Sequence, residues 1–166
     1  MQVTRSSLTL AKALALLIPA ALLAGAYGSQ YLGGLYPCPM CHWQRWPHWV
    51  AVALAIGALL LTRMPDRGRS FVWLAALAIL VSGGIGVWHA GVEAGVFPST
   101  CVSACSGTGE ELMRCLMQPR IACDAIQWKD PVVGISMAGW NAIISILGAL
   151  MILWLSLKRP RNPALA

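Results

Sequence analysis

Two cysteines separated by two residues, in the sequence Cys38-Pro39-Met40-Cys41, are the side chains best suited to chemistry in this chain. The sulfurs of a Cys-X-X-Cys pair can join as a disulfide and separate as thiols without a large movement of the backbone. Pro39 restricts the turn between them and removes one backbone N–H donor. The pair therefore indicates reversible oxidation and reduction of two thiols.

A helix that begins beside this pair would assist its chemistry. Cys41 lies a few residues before an apolar segment that starts near Trp46, so we expect it close to a helix N-terminus, where the dipole and free N–H groups favour a thiolate. Arg45 follows four residues later and would lie one turn along the same face. Its cation would stabilise a thiolate and a reduced, anionic electron acceptor, whereas an arginine that only anchors the chain would extend to lipid phosphates.

A second pair of ionisable residues, His89 and Glu93, lies at the end of an apolar segment at about 71–90. Residues four apart share a helix face, and ionisable groups at membrane depth indicate function. A quinone takes up protons with its two electrons, and we expect this pair to supply or relay them. The alternative is a polar pair that caps a helix bundle. His48, near the start of the second segment, is expected at the membrane interface.

Four further cysteines lie close together in a stretch rich in Gly, Pro and charge: Cys101, Cys105, Cys115 and Cys123. Such clustering is typical of an oxidising compartment. They would form either two structural disulfides or a redox pair that exchanges with the first by thiolate attack on a disulfide. Four cysteines allow three pairings, and their spacing leaves the choice open.

A zinc site is the competing interpretation of the cysteines. Cys38, Cys41 and His42 offer three ligands, but His42 is adjacent to Cys41, which makes joint chelation awkward. A structural site also needs a second ligand pair, and Cys101-X3-Cys105 has only loosely suitable spacing. We therefore expect no metal.

The elements that must position these residues are membrane helices. The chain of 166 residues is 58% hydrophobic and 11% charged, with a mean hydropathy of +0.67, which is too apolar for a soluble domain. Each of four apolar runs is close to the roughly 20 residues that span a bilayer. We predict a single all-α membrane domain over residues 1–166, a bundle of four transmembrane helices at about 8–27, 46–61, 71–90 and 132–157.

The connections between these runs are two outer loops, at about 28–45 and 91–131, and a cytoplasmic loop at about 62–70. The second outer loop contains Thr108-Gly109-Glu110-Glu111, which has the pattern of a capping box, followed by apolar residues at helical spacing. It predicts a short amphipathic helix, lying on the membrane surface or packed against the bundle.

The distribution of charge predicts the orientation. Basic residues concentrate in the N-terminus, the 62–70 connection and the C-terminal tail, so the positive-inside rule places both termini in the cytoplasm and all six cysteines outside. Ala24-Gly25-Ala26 fits a signal-peptide cleavage pattern, but a retained first helix gives the even number of spans that this orientation needs. The net charge of +6 is dispersed, which excludes nucleic acid as a partner.

Several motifs together resemble the disulfide bond formation protein B (DsbB) family. The first is the segment from Cys38 through Gln44 and Arg45 to His48. The others, which extend the resemblance over nearly the whole chain, are His89-Ala-Gly-Val-Glu93, Cys105-Ser-Gly, Cys123-Asp-Ala-Ile-Gln-Trp128 and Gly134-Ile-Ser-Met-Ala-Gly-Trp-Asn141. The vitamin K epoxide reductase family shares the four-helix plan but has its dithiol at the end of its last span.

The resemblance implies an enzyme of the bacterial inner membrane. It would reoxidise a periplasmic, DsbA-like thiol oxidase of thioredoxin fold and pass the electrons to ubiquinone or menaquinone. Carried over by position, Cys38 and Cys41 are the quinone-coupled pair, and Cys41 contacts the quinone beside Arg45. Cys105 with Cys123 is the implied loop pair, because Ala104-Cys105-Ser-Gly matches the family better than the surroundings of Cys101 do. Cys101 and Cys115 depart from the family pattern.

Two other functions remain open at this point. One is a membrane assembly factor or chaperone whose disulfides are purely structural. The other keeps the redox chemistry but runs it in reverse, so that a quinol supplies reductant to the outer compartment.

Overall fold

The described part of the chain contains four long helices and one short helix. The computed structural model describes residues 2–63, 66–99, 101, 108–117 and 121–158, and of residues 2–6, 112 and 114–116 only the backbone. The helices, numbered in chain order, are α1 (Gln2–Tyr31), α2 (Pro39–Leu60), α3 (Arg69–Glu93), α4 (Glu110–Met117) and α5 (Met137–Leu157). The short α4 lies where the capping-box pattern predicts an amphipathic helix.

The prediction of four transmembrane helices is wrong. Within the described residues, three segments are long and apolar enough to cross a membrane: Ser7–Tyr31, Arg69–Glu93 and Met137–Leu157. The second helix, α2, has 22 residues but carries histidines, Gln44, Arg45 and three tryptophans in its first half, so only its second half is continuously apolar. The prediction that both termini face the cytoplasm required an even number of spans, and it loses that support.

Small residues allow the long helices to pack closely. The core between them contains mainly alanines, including Ala15 of α1, Ala55 of α2, Ala75 of α3 and Ala149 of α5. Without a hydrophobic force between helices in lipid, close packing of small residues holds a bundle together. The most extensive interface joins α3 and α5. There a Cβ added at Gly86 would lie 3.1 Å from the carbonyl oxygen of Ala138, so glycine is what permits this approach.

Two helices begin at the same end of the bundle, and each has a side-chain cap. The Cys38 sulfur accepts a hydrogen bond from the Cys41 backbone N–H at 3.3 Å, and Pro39 occupies the first turn of α2. The Ser136 hydroxyl likewise accepts from Gly139 N–H at 3.2 Å and caps α5. The first pair of cysteines is therefore part of a helix N-terminus.

The loop between α4 and α5 covers this end of the bundle. Gln127 makes two hydrogen bonds to the backbone of Tyr36. Its Oε1 accepts from the Tyr36 N–H at 3.1 Å, and its Nε2 donates to the Tyr36 carbonyl oxygen at 2.5 Å. Cys123 packs beside Cys38, Met40 and Val92 in a small buried cluster. The loop thereby brings a second group of sulfur atoms to the start of α2.

Candidate functional site

The cysteines at the start of α2 form a closely spaced, reduced pair. Their Sγ atoms are 3.0 Å apart, and the Cys38 thiol donates a hydrogen bond to the Cys41 sulfur. Cys38 is buried, whereas Cys41 is partly exposed. The two sulfurs are therefore unequal: one acts as donor and the other as acceptor.

This inequality determines which sulfur ionises. The hydrogen bond from the Cys38 thiol is the main cause that lowers the pKa of Cys41 to about 7. A backbone hydrogen bond at Cys38 and the Arg45 cation also lower it, whereas burial and the Glu93 charge raise it. The hydrogen bond between the two sulfurs, together with burial, raises the pKa of Cys38 well above its ordinary value. Near neutral pH about half of Cys41 is a thiolate while Cys38 keeps its proton.

A disulfide bond joins Cys101 to Cys123 directly beside this pair. The Cys123 and Cys38 sulfurs and Nε2 of His89 all lie within 4.8 Å of one another. The resemblance implied Cys105 as the partner of Cys123, and the structure instead bonds Cys123 to Cys101. Cys105 lies outside the described residues, as does the side chain of Cys115.

His89 lies between the two sulfur pairs and is 3% exposed. Its Nδ1 is 2.8 Å from the Gln44 amide nitrogen, while Nε2 is 3.5 Å from Cys38 Sγ and 3.2 Å from the Cys123 carbonyl oxygen. Because the Gln44 amide nitrogen donates to it, Nδ1 of His89 is the acceptor in this orientation of the amide. Nε2 of His89 therefore carries the ring proton, which faces the sulfurs.

Glu93 extends this group of residues toward the surface. One of its carboxylate oxygens is 3.8 Å from His89 Nε2, and the other accepts a hydrogen bond from the Ser136 hydroxyl. The predicted pair of His89 and Glu93 therefore exists, and it is tied to the N-terminus of α5.

Arg45 is held by α1 rather than extended toward lipid phosphates. It is 8% exposed and donates to Gln30 Oε1 at 2.6 Å and to the Ala26 carbonyl oxygen at 3.1 Å. Its guanidinium also lies 4.7 Å from the centre of the Tyr27 ring. These contacts fix a positive charge beside Cys41.

A buried polar network in the bundle was not predicted from sequence. Asn141 of α5 donates to Gln44 Oε1 at 2.8 Å, and its own carbonyl oxygen is 2.9 Å from His48 Nε2. Ser82 of α3 is also 2.9 Å from His48 Nε2 and donates to the Gln44 carbonyl oxygen at 2.8 Å. His48 is 2% exposed, so it is buried rather than interfacial. Asn141 falls within a quoted motif, but spacing alone gives no sign of this contact.

A cavity of about 310 Å³ opens between α1, α2, α3 and α5. Its walls are mostly apolar, as is usual for small-molecule sites of this size. Six of the polar side chains that line it come from α2, α3 and α5: Cys41, Gln44, Arg45, His48, His89 and Asn141. Ser29 of α1 and Gln127 of the loop before α5 also line it. Cys41 therefore faces the cavity, whereas Cys38 faces the loop disulfide.

Comparisons with known proteins agree on one family. The family model described as disulfide bond formation protein DsbB matches residues 9–155. A disulfide bond formation protein B from Paracidovorax citrulli is 32% identical over 163 residues, covering 90% of this chain and 89% of the relative. A disulfide bond formation protein B 1 from Pseudomonas putida is 28% identical over 143 residues, covering 82% of each chain. No solved structure matches the chain.

Proposed function

This chain belongs to the DsbB family, and from that premise we propose that it reoxidises a DsbA-like thiol oxidase and passes the electrons to a membrane quinone. Family membership makes it a membrane disulfide oxidoreductase. The observation that carries the finer proposal is the arrangement of sulfurs: Cys38 beside the loop disulfide and Cys41 on the cavity wall.

The first step is attack by a thiolate of the partner on the Cys101–Cys123 bond. Cys123 is 1% exposed and Cys101 is more accessible, so the partner attacks Cys101. A mixed disulfide forms between the partner and Cys101, and Cys123 leaves as a thiolate.

The second step moves the electron pair to the start of α2. The Cys123 thiolate attacks the sulfur of Cys38 in an oxidised Cys38–Cys41 pair, which forms a Cys38–Cys123 bond and releases Cys41 as a thiolate. A leaving thiol of low pKa leaves faster, and the Arg45 cation beside Cys41 lowers the pKa of that thiol. Cys41 is therefore suited to be the leaving group.

The remaining exchanges restore the loop. The second thiolate of the partner attacks its mixed disulfide and releases Cys101, and the partner is then oxidised. The Cys101 thiolate attacks Cys123, so that the loop disulfide forms again and Cys38 is left as a thiol. The result, with the loop pair oxidised and the Cys38–Cys41 pair reduced, corresponds to the state in the structure.

The cavity residues fit a quinone. Its apolar walls suit the ring and isoprenoid tail of a quinone, and its few polar groups can bond to the ring oxygens. A bound quinone would supply the capacity to accept two electrons and two protons. Cys41 is the residue placed to give the electrons, Arg45 to stabilise negative charge, and His89 with Glu93 to hold and renew the proton at Nε2.

We assign the enzyme to the bacterial inner membrane with its sulfur-bearing end outside. The described cysteines lie at one end of the bundle, near the end of α3, whereas the start of this span lies at the other end, where Arg69 opens the helix and Arg63 and Arg67 precede it. Basic connections of this kind favour the cytoplasmic side. A disulfide at the opposite end suits an oxidising compartment.

Quinone reduction in detergent tests this function. Purified enzyme is mixed with a reduced DsbA-like protein and a short-chain ubiquinone or menaquinone, and loss of quinone absorbance is followed. We expect turnover by the parent and by a Cys115→Ser control, and none by Cys41→Ser. Turnover by Cys41→Ser at the rate of the parent would refute the proposed route.

A further inference from the structure

The sulfur atoms that exchange electrons also surround His89 with the donors of a metal site. Cys38 Sγ, Cys123 Sγ and His89 Nε2 lie within 4.8 Å of one another, and Cys41 Sγ is 3.0 Å from Cys38 Sγ. The first three residues are at most 3% exposed. Zinc–sulfur bonds of about 2.3 Å and zinc–nitrogen bonds of about 2.0 Å in a tetrahedron separate ligand atoms by roughly 3.5–3.8 Å. The Cys38–His89 distance of 3.5 Å already has this value.

Reduction completes this set of donors. When the Cys101–Cys123 bond accepts two electrons and two protons, Cys123 becomes a free thiol beside the two thiols that are already reduced. We propose that the fully reduced enzyme binds one zinc ion between Cys38, Cys123 and His89, and that the Cys41 side chain turns from the cavity wall to supply the fourth ligand. A set of three cysteines and one histidine is a common tetrahedral zinc site. It differs from the set built on His42 that the sequence suggested.

Gln44 provides the support that a ligating histidine requires. Such a histidine usually donates its other ring N–H to a neighbouring acceptor, which fixes the ring. The Gln44 amide is 2.8 Å from Nδ1 of His89 and is itself bonded to Asn141 at 2.8 Å. For metal binding, the ring proton of His89 moves from Nε2 to Nδ1. The side-chain amides of Gln44 and Asn141 each rotate by 180°, so that the Gln44 oxygen accepts a hydrogen bond from Nδ1–H.

Charge and access both permit the ion to bind. Each thiol that ligates zinc gives up its proton to solvent, so three thiolates and one zinc ion leave a net charge of −1. The Arg45 cation, which already lowers the pKa of Cys41, partly offsets that charge. Cys41 and His89 both line the cavity, which offers a route of entry.

The site responds to the redox state of the enzyme. With the loop disulfide intact, Cys123 is not available as a thiolate, and three ligands remain. With the Cys38–Cys41 pair also oxidised, only His89 remains. Zinc therefore binds when both pairs have been reduced and no acceptor has removed the electrons, and it prevents either disulfide from forming again. The metal would act as an inhibitor selective for the fully reduced enzyme.

Cobalt binding tests the site without partner or quinone. The protein, carrying Cys105→Ser and Cys115→Ser so that these thiols do not contribute, is reduced with a phosphine, freed of reductant without oxygen, and titrated with Co²⁺. We expect one Co²⁺ per chain with the intense visible bands of tetrahedral sulfur and nitrogen coordination. Zinc should displace it, since zinc binds such sites more tightly. The oxidised protein should show no such bands.

Matched histidine variants identify the ligand. His42→Gln should retain the cobalt spectrum and His89→Gln should lose it, while His89→Cys, which replaces one zinc ligand by another, should bind metal again. Gln44→Ala should weaken binding by about 10–100-fold, as is usual for the loss of a group that supports a ligand. The proposal would be overturned if the reduced parent bound no cobalt, or if His89→Gln bound cobalt as tightly as the parent. It would also be overturned if His42→Gln and His89→Gln lost cobalt binding to the same extent. None of these results bears on quinone reduction, which is measured separately.

Discussion

The Cys38 sulfur lies within 4.8 Å of the Cys123 sulfur, although the two residues belong to different loops and different disulfide couples. Both residues are at most 2% exposed. Cys41, one turn further along α2, faces the cavity instead. The arrangement therefore gives each cysteine of the Cys38–Cys41 pair a different neighbour.

Alkylation should reveal the ionisation of Cys41. Since its pKa is lowered to about 7, its reaction with iodoacetamide should rise as the pH increases through about 7 and level off above 8. In Cys38→Ala the main cause of this lowering is lost, and the thiolate fraction at pH 7 should fall from about half to a few per cent. Peptide-resolved mass spectrometry, with the loop disulfide left oxidised, measures the rate. An unchanged pH profile in Cys38→Ala would show that the hydrogen bond does not control the pKa.

Replacement of Arg45 should weaken the use of quinone but leave the disulfide chemistry intact. Arg45→Met removes the cation that α1 holds beside Cys41. A hydrogen bond from this guanidinium to a quinone oxygen would be worth about 1.5–3 kcal/mol, as is usual for a charged donor. We expect the KM for quinone to rise at least about 10-fold, while the Cys38–Cys41 disulfide still forms with a chemical oxidant. Arg63→Met, on an exposed connection, is the control and should behave as the parent. Unaltered quinone kinetics in Arg45→Met would leave the arginine with a structural role only.

The buried polar network should contribute to stability. Asn141→Leu removes partners of Gln44 and His48, and an unsatisfied buried polar group costs about 1–3 kcal/mol. We expect a clearly lower Tm in detergent. Leu147→Ala, on the same helix but 63% exposed, should change it little. Equal Tm values for these two variants would contradict the importance of the network.

Two glycines of α3 offer a matched test of the α3–α5 interface. A Cβ at Gly86 would lie 3.1 Å from backbone atoms of α5, whereas a Cβ at Gly84 would meet nothing within 4 Å. Gly84→Ala should stabilise the helix by about 0.5–1 kcal/mol through its propensity. Gly86→Ala should destabilise by about 1–3 kcal/mol because it separates two packed backbones. Thermal unfolding that ranks the variants in the opposite order would mean that the helices pack differently.

Local sequence patterns located the residues of the candidate site but not their surroundings. The Cys-X-X-Cys spacing, Arg45 one turn later, and the pair of His89 and Glu93 were all visible as short-range signals, and the structure brings these residues together. The contacts of His48 with Asn141 and Ser82 join three different helices. Contacts of that kind depend on helix rotation and packing, which periodicity does not specify.

The number of spans and the loop pairing failed for different physical reasons. The second apolar run predicts a complete span, but polar residues in the first half of α2 line the cavity and lower the hydropathy of the helix. The resemblance implied Cys105 for the loop disulfide. The structure uses Cys101, which follows soon after the end of α3 and is therefore held close to the start of α2. The short length of chain between the end of α3 and Cys101 restricts where this cysteine can lie, and a comparison of motifs does not take that length into account.

Disulfide trapping measures the central relationship directly. A Cys41→Ser, Cys101→Ser variant leaves Cys38 and Cys123 without their usual partners, and a Cys38→Ser, Cys101→Ser variant leaves Cys41 and Cys123. After mild oxidation in the membrane, peptide mapping by mass spectrometry should find a Cys38–Cys123 disulfide in most molecules of the first variant and little Cys41–Cys123 disulfide in the second. If the first variant forms no Cys38–Cys123 bond, or if the second couples Cys41 to Cys123 equally well, electrons do not pass from the loop to Cys38 as this account requires.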